Sequence, residues 1–109
     1  MKYMLLICAG GEQATEPDSG QGLTIEEWLA EVGTKRLDGS ELRSPKDATT
    51  VRARGDEVLL SDGPFAETRE FIAGYDIIDV ADLDEAIRIA SRHPVARFGM
   101  VEVRPFVTD

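Results

Sequence analysis

Apolar and polar positions alternate along this chain in blocks of different period. Lys2–Cys8 is a nearly continuous apolar run stopped by Gly10-Gly11, and its length and flanking glycines predict a strand covered on both faces. Gly11–Gly22, rich in Gly, Ser, Glu, Asp and Pro, is expected to be a solvated loop. At Thr24 the period changes. Thr24-Ile25-Glu26-Glu27 forms a capping box, and Ile25, Trp28, Leu29 and Val32 then recur at i, i+3, i+4 and i+7 on one face of a short helix. Gly33 is placed to end that helix. Lys35–Asp47, broken by Gly39 and Pro45, has no clear period and is expected to be loop.

The second half opens with β-branched Thr49, Thr50 and Val51 inside Ala48–Arg54. A turn at Gly55-Asp56 and a return over Glu57–Leu60 predict a hairpin. Asp62-Gly63-Pro64 breaks it. Phe71–Val80 is the longest strand candidate and is apolar on both faces. Asp82-Leu83-Asp84-Glu85 then caps a second helix, whose Leu83, Ala86, Ile87 and Ala90 repeat the stripe until Pro94 stops it. Phe98–Val103 is a final strand, closed by Pro105. The stripes predict Trp28, Leu29, Leu83 and Ile87 as core.

No repeat or long linker divides the chain, so residues 1–109 are expected to be one α+β domain. The order strand, helix, hairpin strands, long strand, helix, strand is that of a ferredoxin-like split βαβ: an antiparallel sheet with both helices on one face. The other face is left bare. Its candidates are Phe71, Ala73, Tyr75 and Ile77, or Ile72, Gly74, Ile78 and Val80, and either set is too apolar to sit in water. A homodimer through the helix-free sheet face follows as an expectation.

Composition narrows the function classes. The chain has 109 residues, 42% hydrophobic and 30% charged, a globular balance, and a domain this long buries roughly two-thirds of its unfolded surface without a staple. Twelve Lys and Arg stand against 21 Asp and Glu, a net charge of −9, which speaks against a nucleic-acid partner or an anionic membrane surface. The run at residues 3–8 is too short for a membrane span. The single Cys8 forms no intrachain disulfide, which fits a reducing cytoplasm; within an apolar run it reads as a small buried hydrophobe rather than a nucleophile.

Ser61-Asp62-Gly63-Pro64-Phe65-Ala66-Glu67-Thr68 is dense in special residues. With Met1-Lys2-Tyr3-Met4-Leu5-Leu6-Ile7, Gly74-Tyr75, the stretch from Val80 to Ala86, Arg92-His93-Pro94 and Glu102-Val103-Arg104-Pro105, it resembles the DGPF-type proteins of the YCII-related family. The resemblance implies a dimeric α+β barrel, two ferredoxin-like units packed sheet to sheet. It also implies small bacterial proteins of unsettled activity, often encoded beside sigma factors of the extracytoplasmic-function class. Some relatives are thought to use a His–Asp pair in a cleft at the barrel rim. Their His lies on the first helix, where this chain has Glu26, Glu27, Trp28 and Glu31. Their Asp precedes a proline after the second helix, where this chain has His93 before Pro94. That pair does not carry over.

Candidate residues remain. Asp62, Gly63, Pro64 and Phe65 make good turn chemistry, a capping carboxylate, a positive φ, a fixed φ and an anchor. Asp62, Glu67, Thr68 and Arg69 also bring four polar groups close to one turn, more than a connector needs, and a carboxylate at Asp62 with a raised pKa is a candidate general base. His93, the lone histidine, is either a proton-transfer group or a cation complementing the dipole of the second helix. Glu102 and Arg104 share a strand face at i, i+2, and are either an exposed pair or a buried one inside a barrel, with Tyr75 aimed into the same space. No spacing of ligands suggests a metal, and no G-x-G-x-x-G, P-loop or H-E-x-x-H suggests a cofactor. Two readings survive: a cytoplasmic dimeric module binding a small molecule or a regulatory partner, and an enzyme using Asp62 and His93 for acid–base chemistry on a small organic substrate.

Overall fold

The computed structural model describes residues 1–10, 22–63 and 70–108. Its elements are β1 (Lys2–Gly10), α1 (Ile25–Val32), β2 (Arg36–Glu41), β3 (Thr49–Arg54), β4 (Glu57–Asp62), β5 (Glu70–Asp79), α2 (Leu83–Ser91) and β6 (Met100–Pro105). Four of the strands form an antiparallel sheet in the order β2-β5-β1-β6. Read along the chain, β1-α1-β2-β5-α2-β6 is the ferredoxin-like α+β arrangement. The hairpin β3–β4 is inserted between β2 and β5 as a separate two-stranded sheet.

Two expectations are corrected here. Lys35–Asp47 is not all loop, because Arg36–Glu41 is a strand paired with β5. It is the hairpin, not this segment, that was expected to supply the missing strand of the split βαβ, and the hairpin stays outside the main sheet. The reason is physical. β2 is an edge strand whose residues are mostly exposed, held by main-chain pairing with β5 rather than by a buried apolar row, so it leaves no hydrophobic period to read. A register shift between Arg36 and Asp38 scrambles the alternation further. The hairpin, by contrast, has a legible pattern without a core position. Val51 lies opposite Leu60 and Ala53 opposite Val58, a one-sided apolar face that is exposed throughout.

Both helix starts form as local sequence dictates. The Thr24 hydroxyl accepts from the Glu27 amide at 3.1 Å while the Thr24 amide donates to the Glu27 carboxylate at 3.0 Å. Gly33 closes α1 with a φ of 58°. Asp82 accepts from the Glu85 amide at 2.9 Å, but Glu85 turns to the Ala81 amide instead of back to the cap.

The core lies between the sheet and the helices: Tyr3, Leu5 and Ile7 of β1, Ile78 of β5 and neighbouring Val80, Trp28 and Val32 of α1, Ala86 and Ala90 of α2. The Trp28 indole donates to the Ile89 carbonyl at 2.9 Å and so ties the two helices together. Of the residues expected in the core, only Trp28 is buried; Leu29, Leu83 and Ile87 are exposed at 36%, 47% and 48%. α2 seats itself on Ala86 and Ala90, which let its backbone approach the sheet and turn the bulkier Leu83 and Ile87 outward. Leu29 borders an open cleft described below.

On the other side of the sheet, direct pairing sets Tyr75, Leu6 and Glu102 in one row and Ile77, Met4 and Arg104 in the next. A register shift beyond Ile7 then puts Ile72 opposite Cys8. Neither alternating set expected from the sequence is therefore the bare face intact; the bulge splices Ile72 onto Tyr75 and Ile77. These side chains are half-buried or exposed, with no helix of the described residues over them.

Candidate functional site

A cleft of about 390 Å³ opens between α1, the β2–β5 half of the sheet and the turn that follows α2, within the range of small-ligand sites. Ile25 and Leu29 form its helical wall, Ile7 and Ala73 its floor, and Pro94 and Val95 one end. Ile25 and Leu29 belong to the same stripe as buried Trp28 and Val32. A stripe this wide on an eight-residue helix covers more than the sheet needs, and its leading edge is left facing space.

Arg36, Asp76 and His93 lie together in this apolar setting, with Ser40, Tyr75 and Glu41 along its border. Asp76 sits on the helix-facing side of β5, between Gly74 and Ile78, opposite Leu5 and Gly39. It is 6% exposed, and a carboxylate so placed requires a partner. Arg36 supplies one from β2, its Nε donating to Asp76 Oδ1 at 2.7 Å. Gly39 makes room for this pair: a Cβ there would strike the Asp76 carboxylate, the Arg36 guanidinium and the Tyr75 carbonyl.

His93 lies just beyond α2 in extended conformation, 5% exposed, and caps the short 3-10 turn Pro94–Arg97. The Val95 amide donates to its Nδ1 at 3.0 Å, and its ring meets Trp28 edge-on at 4.7 Å. Burial pushes its pKa below the ordinary 6.5, and the nearby Asp76 charge only partly opposes this. The expectation of a histidine cation serving the α2 dipole is thereby corrected: His93 is beyond the helix, buried and biased toward neutrality. With Nδ1 accepting, neutral imidazole carries its proton on Nε2. No buried side-chain nitrogen or oxygen among the described residues lacks a partner. Nε2 has no hydrogen bond to a described residue, and His93 is one of the residues lining the cleft.

The remaining sequence candidates are scattered. Asp62 ends β4, exposed and opposite Thr49, and does not line the cleft. Gly63 adopts the left-handed φ of 89° that its place in a turn requires. Its amide donates to the Ala48 carbonyl at 2.7 Å and its carbonyl accepts from Thr50 Oγ1 at 2.8 Å. Pro64, Phe65, Glu67, Thr68 and Arg69 lie outside the described residues. Tyr75 touches the edge of the cleft beside its strand partner Ser40, although its register sets its side chain on the helix-free face with Leu6. Glu102 and Arg104 pair at 2.5 Å on the helix-free face, about half exposed or more, with the sheet between them and His93. Among the described residues no group of three or more His, Cys, Asp or Glu is arranged to hold a metal ion, and no helix is long and apolar enough to cross a membrane.

Sequence reasoning missed Arg36, Asp76 and Gly39. A signal for Asp76 was present: a single acid inside the apolar run from Ala73 to Ile78, where a solvated strand would alternate and a buried one would carry no charge. Arg36 and Gly39 lay in the segment expected to be loop.

Residues 1–108 match the YCII-related domain. The chain belongs to the YCII-related family. It is also 45% identical over 60 residues to an uncharacterized protein of Rhizobium meliloti (strain 1021), a match covering 53% of this chain and 48% of that protein. The aligned region thus spans about half the length of the curated relative, and neither likeness names an activity.

Proposed function

We propose that this YCII-related protein is a small-molecule-binding module of the cytoplasm, paired into a homodimer through the helix-free sheet face, with the cleft beside His93 as its binding site. One observation carries the binding reading: an apolar wall left open at Ile25 and Leu29 faces a matched charge pair and a histidine whose lone pair is already taken. Arg36 neutralises Asp76, and Val95 occupies the Nδ1 lone pair of His93. A general base needs a free lone pair within reach of its proton. His93 offers the cleft a donor instead, and Asp62 stands outside the cleft altogether. The arrangement favours holding a ligand over turning one over.

The dimer rests on the second face. Met4, Leu6, Tyr75, Ile77 and Ile72 make a contiguous apolar row pattern with no helix above it, and such a face in a chain of net charge −9 is stabilised when a second copy covers it. The test pairs two variants. In the wild type, sedimentation equilibrium gives a dimer mass and Leu6→Glu gives a folded monomer. Leu29→Trp, which fills the cleft, keeps the dimer but loses the protein-detected NMR shifts produced by small aromatic fragments. Fragment shifts that survive Leu29→Trp would remove the cleft from the account, and a monomeric wild type would remove the dimer.

A further inference from the structure

The charge balance of the cleft and the tautomer of His93 restrict what enters it. We infer that the site selects electrically neutral molecules with a compact apolar body and one acceptor oxygen, a ketone being the simplest case, held by the Nε2–H of His93. This deepens the binding reading above and rests on it.

Charge decides first. The Asp76 carboxylate and Arg36 guanidinium lie at 2.7 Å and cancel within the cleft, and His93, buried beside Trp28 with Nδ1 accepting from Val95, adds no charge. An anion entering here meets no unmatched cation; it meets Glu41 at the rim and the field of a chain carrying −9. A cation finds Glu41 only at the exposed end of β2, where water competes for it; deeper in, it must take Asp76 from an arginine already bonded through Nε and shed its water against Ile25, Leu29 and Val95. Desolvating an ion without a new partner costs far more than desolvating a neutral oxygen. A neutral ligand incurs neither penalty.

The donor decides next. His93 Nδ1 caps the Pro94–Arg97 turn, so protonating that nitrogen would forfeit the bond from Val95. Nε2 is left with its hydrogen and no lone pair, a donor only. A carbonyl oxygen accepts that hydrogen; an ammonium or a hydrocarbon does not. Space decides last. About 390 Å³ holds a body the size of one substituted ring, and the exposed faces of Ile25 and Leu29 supply its apolar wall.

Four probes of matched shape test this by NMR titration of the full chain: acetophenone, ethylbenzene, benzoate and benzylammonium. Acetophenone is expected to bind about fivefold more tightly than ethylbenzene, the worth of one ordinary hydrogen bond, and at least tenfold more tightly than either ion. In His93→Phe the two neutral probes are expected to bind equally. If that variant fails to fold, the imidazole nitrogen spectrum of the wild type replaces it: Nε2 is protonated at pH 7, and its resonance moves with acetophenone and not with ethylbenzene. Benzoate or benzylammonium binding best, or acetophenone and ethylbenzene binding alike to the wild type, overturns the ligand class while leaving the cleft a binding site. None of the four shifting any resonance of the cleft overturns the binding reading itself.

Discussion

One strand serves two surfaces in this protein, and they are built differently. Tyr3, Leu5 and Ile7 of β1 point toward the helices and are at most 6% exposed; Met4, Leu6 and Cys8, one position along, point to the helix-free side and are only half-buried. Under the helices polar groups are tolerated only when matched, as with Asp76 and Arg36 or His93 and the Val95 amide. On the bare side Glu102 and Arg104 pair in water, where such a pair is worth little. Cys8 belongs to the bare side, and there burial and the charges of Glu102 and Glu70 push its thiol pKa up, away from a reactive thiolate. Burial on one face makes a site possible because it makes polarity expensive. Partial exposure on the other makes association possible because it leaves apolar area unused.

The largest expected difference between the two faces is in packing. Leu5→Ala, at a side chain with no exposure, is expected to lower unfolding stability by about 2–5 kcal/mol. Leu6→Ala should lower it by about 1 kcal/mol in a dilute sample where chains do not associate. Urea denaturation of both variants checks this, and equal losses would erase the distinction between the faces.

A smaller asymmetry is expected inside the ion pair. Arg36→Met strands a buried carboxylate and should cost about 1–3 kcal/mol, whereas Asp76→Asn leaves an arginine whose side chain is 29% exposed and reaches water, at a smaller cost. Thermal melts at one pH order the two variants; a reversed order would show that Asp76 is not the group that needs its partner.

The smallest effect is in pH dependence. Because the folded pKa of His93 lies below 6.5, the unfolded chain takes up its proton first as pH falls below that value. The histidine thus lowers stability progressively as pH drops from 6.5 toward the folded pKa, and has no further effect below it. His93→Phe should flatten this part of the stability–pH curve. A curve as steep in His93→Phe as in the wild type would contradict the buried neutral histidine.

How much of this could be read from residues alone follows the range of the forces involved. The two helix starts were legible at Thr24 and Asp82 because a cap is settled within four residues, and the hairpin turn at Gly55-Asp56 for the same reason. β2 was not, since Arg36–Glu41 is a strand only by virtue of the neighbour it pairs with. The helix stripes told which residues were apolar but not how each helix would rotate, and the small Ala86 and Ala90, rather than Leu83 and Ile87, decided that. His93 was visible as a unique side chain. Its tautomer was not, because it depends on an amide two residues later folding into a 3-10 turn. Asp76 was visible only as an anomaly, an acid amid apolar neighbours, and its partner was 40 residues away.

The most direct test of a ligand cleft on one face and an association surface on the other is a methyl-labelled NMR titration with acetophenone, which reports both faces and the hairpin in a single spectrum. The account predicts shifts at Ile7, Ile25, Leu29 and Val95, with Leu6 and Ile77 of the helix-free face and Val58 and Leu60 of the hairpin unmoved. Shifts centred on Leu6 and Ile77, or on the hairpin next to Asp62, with Ile25 and Leu29 silent, would contradict it.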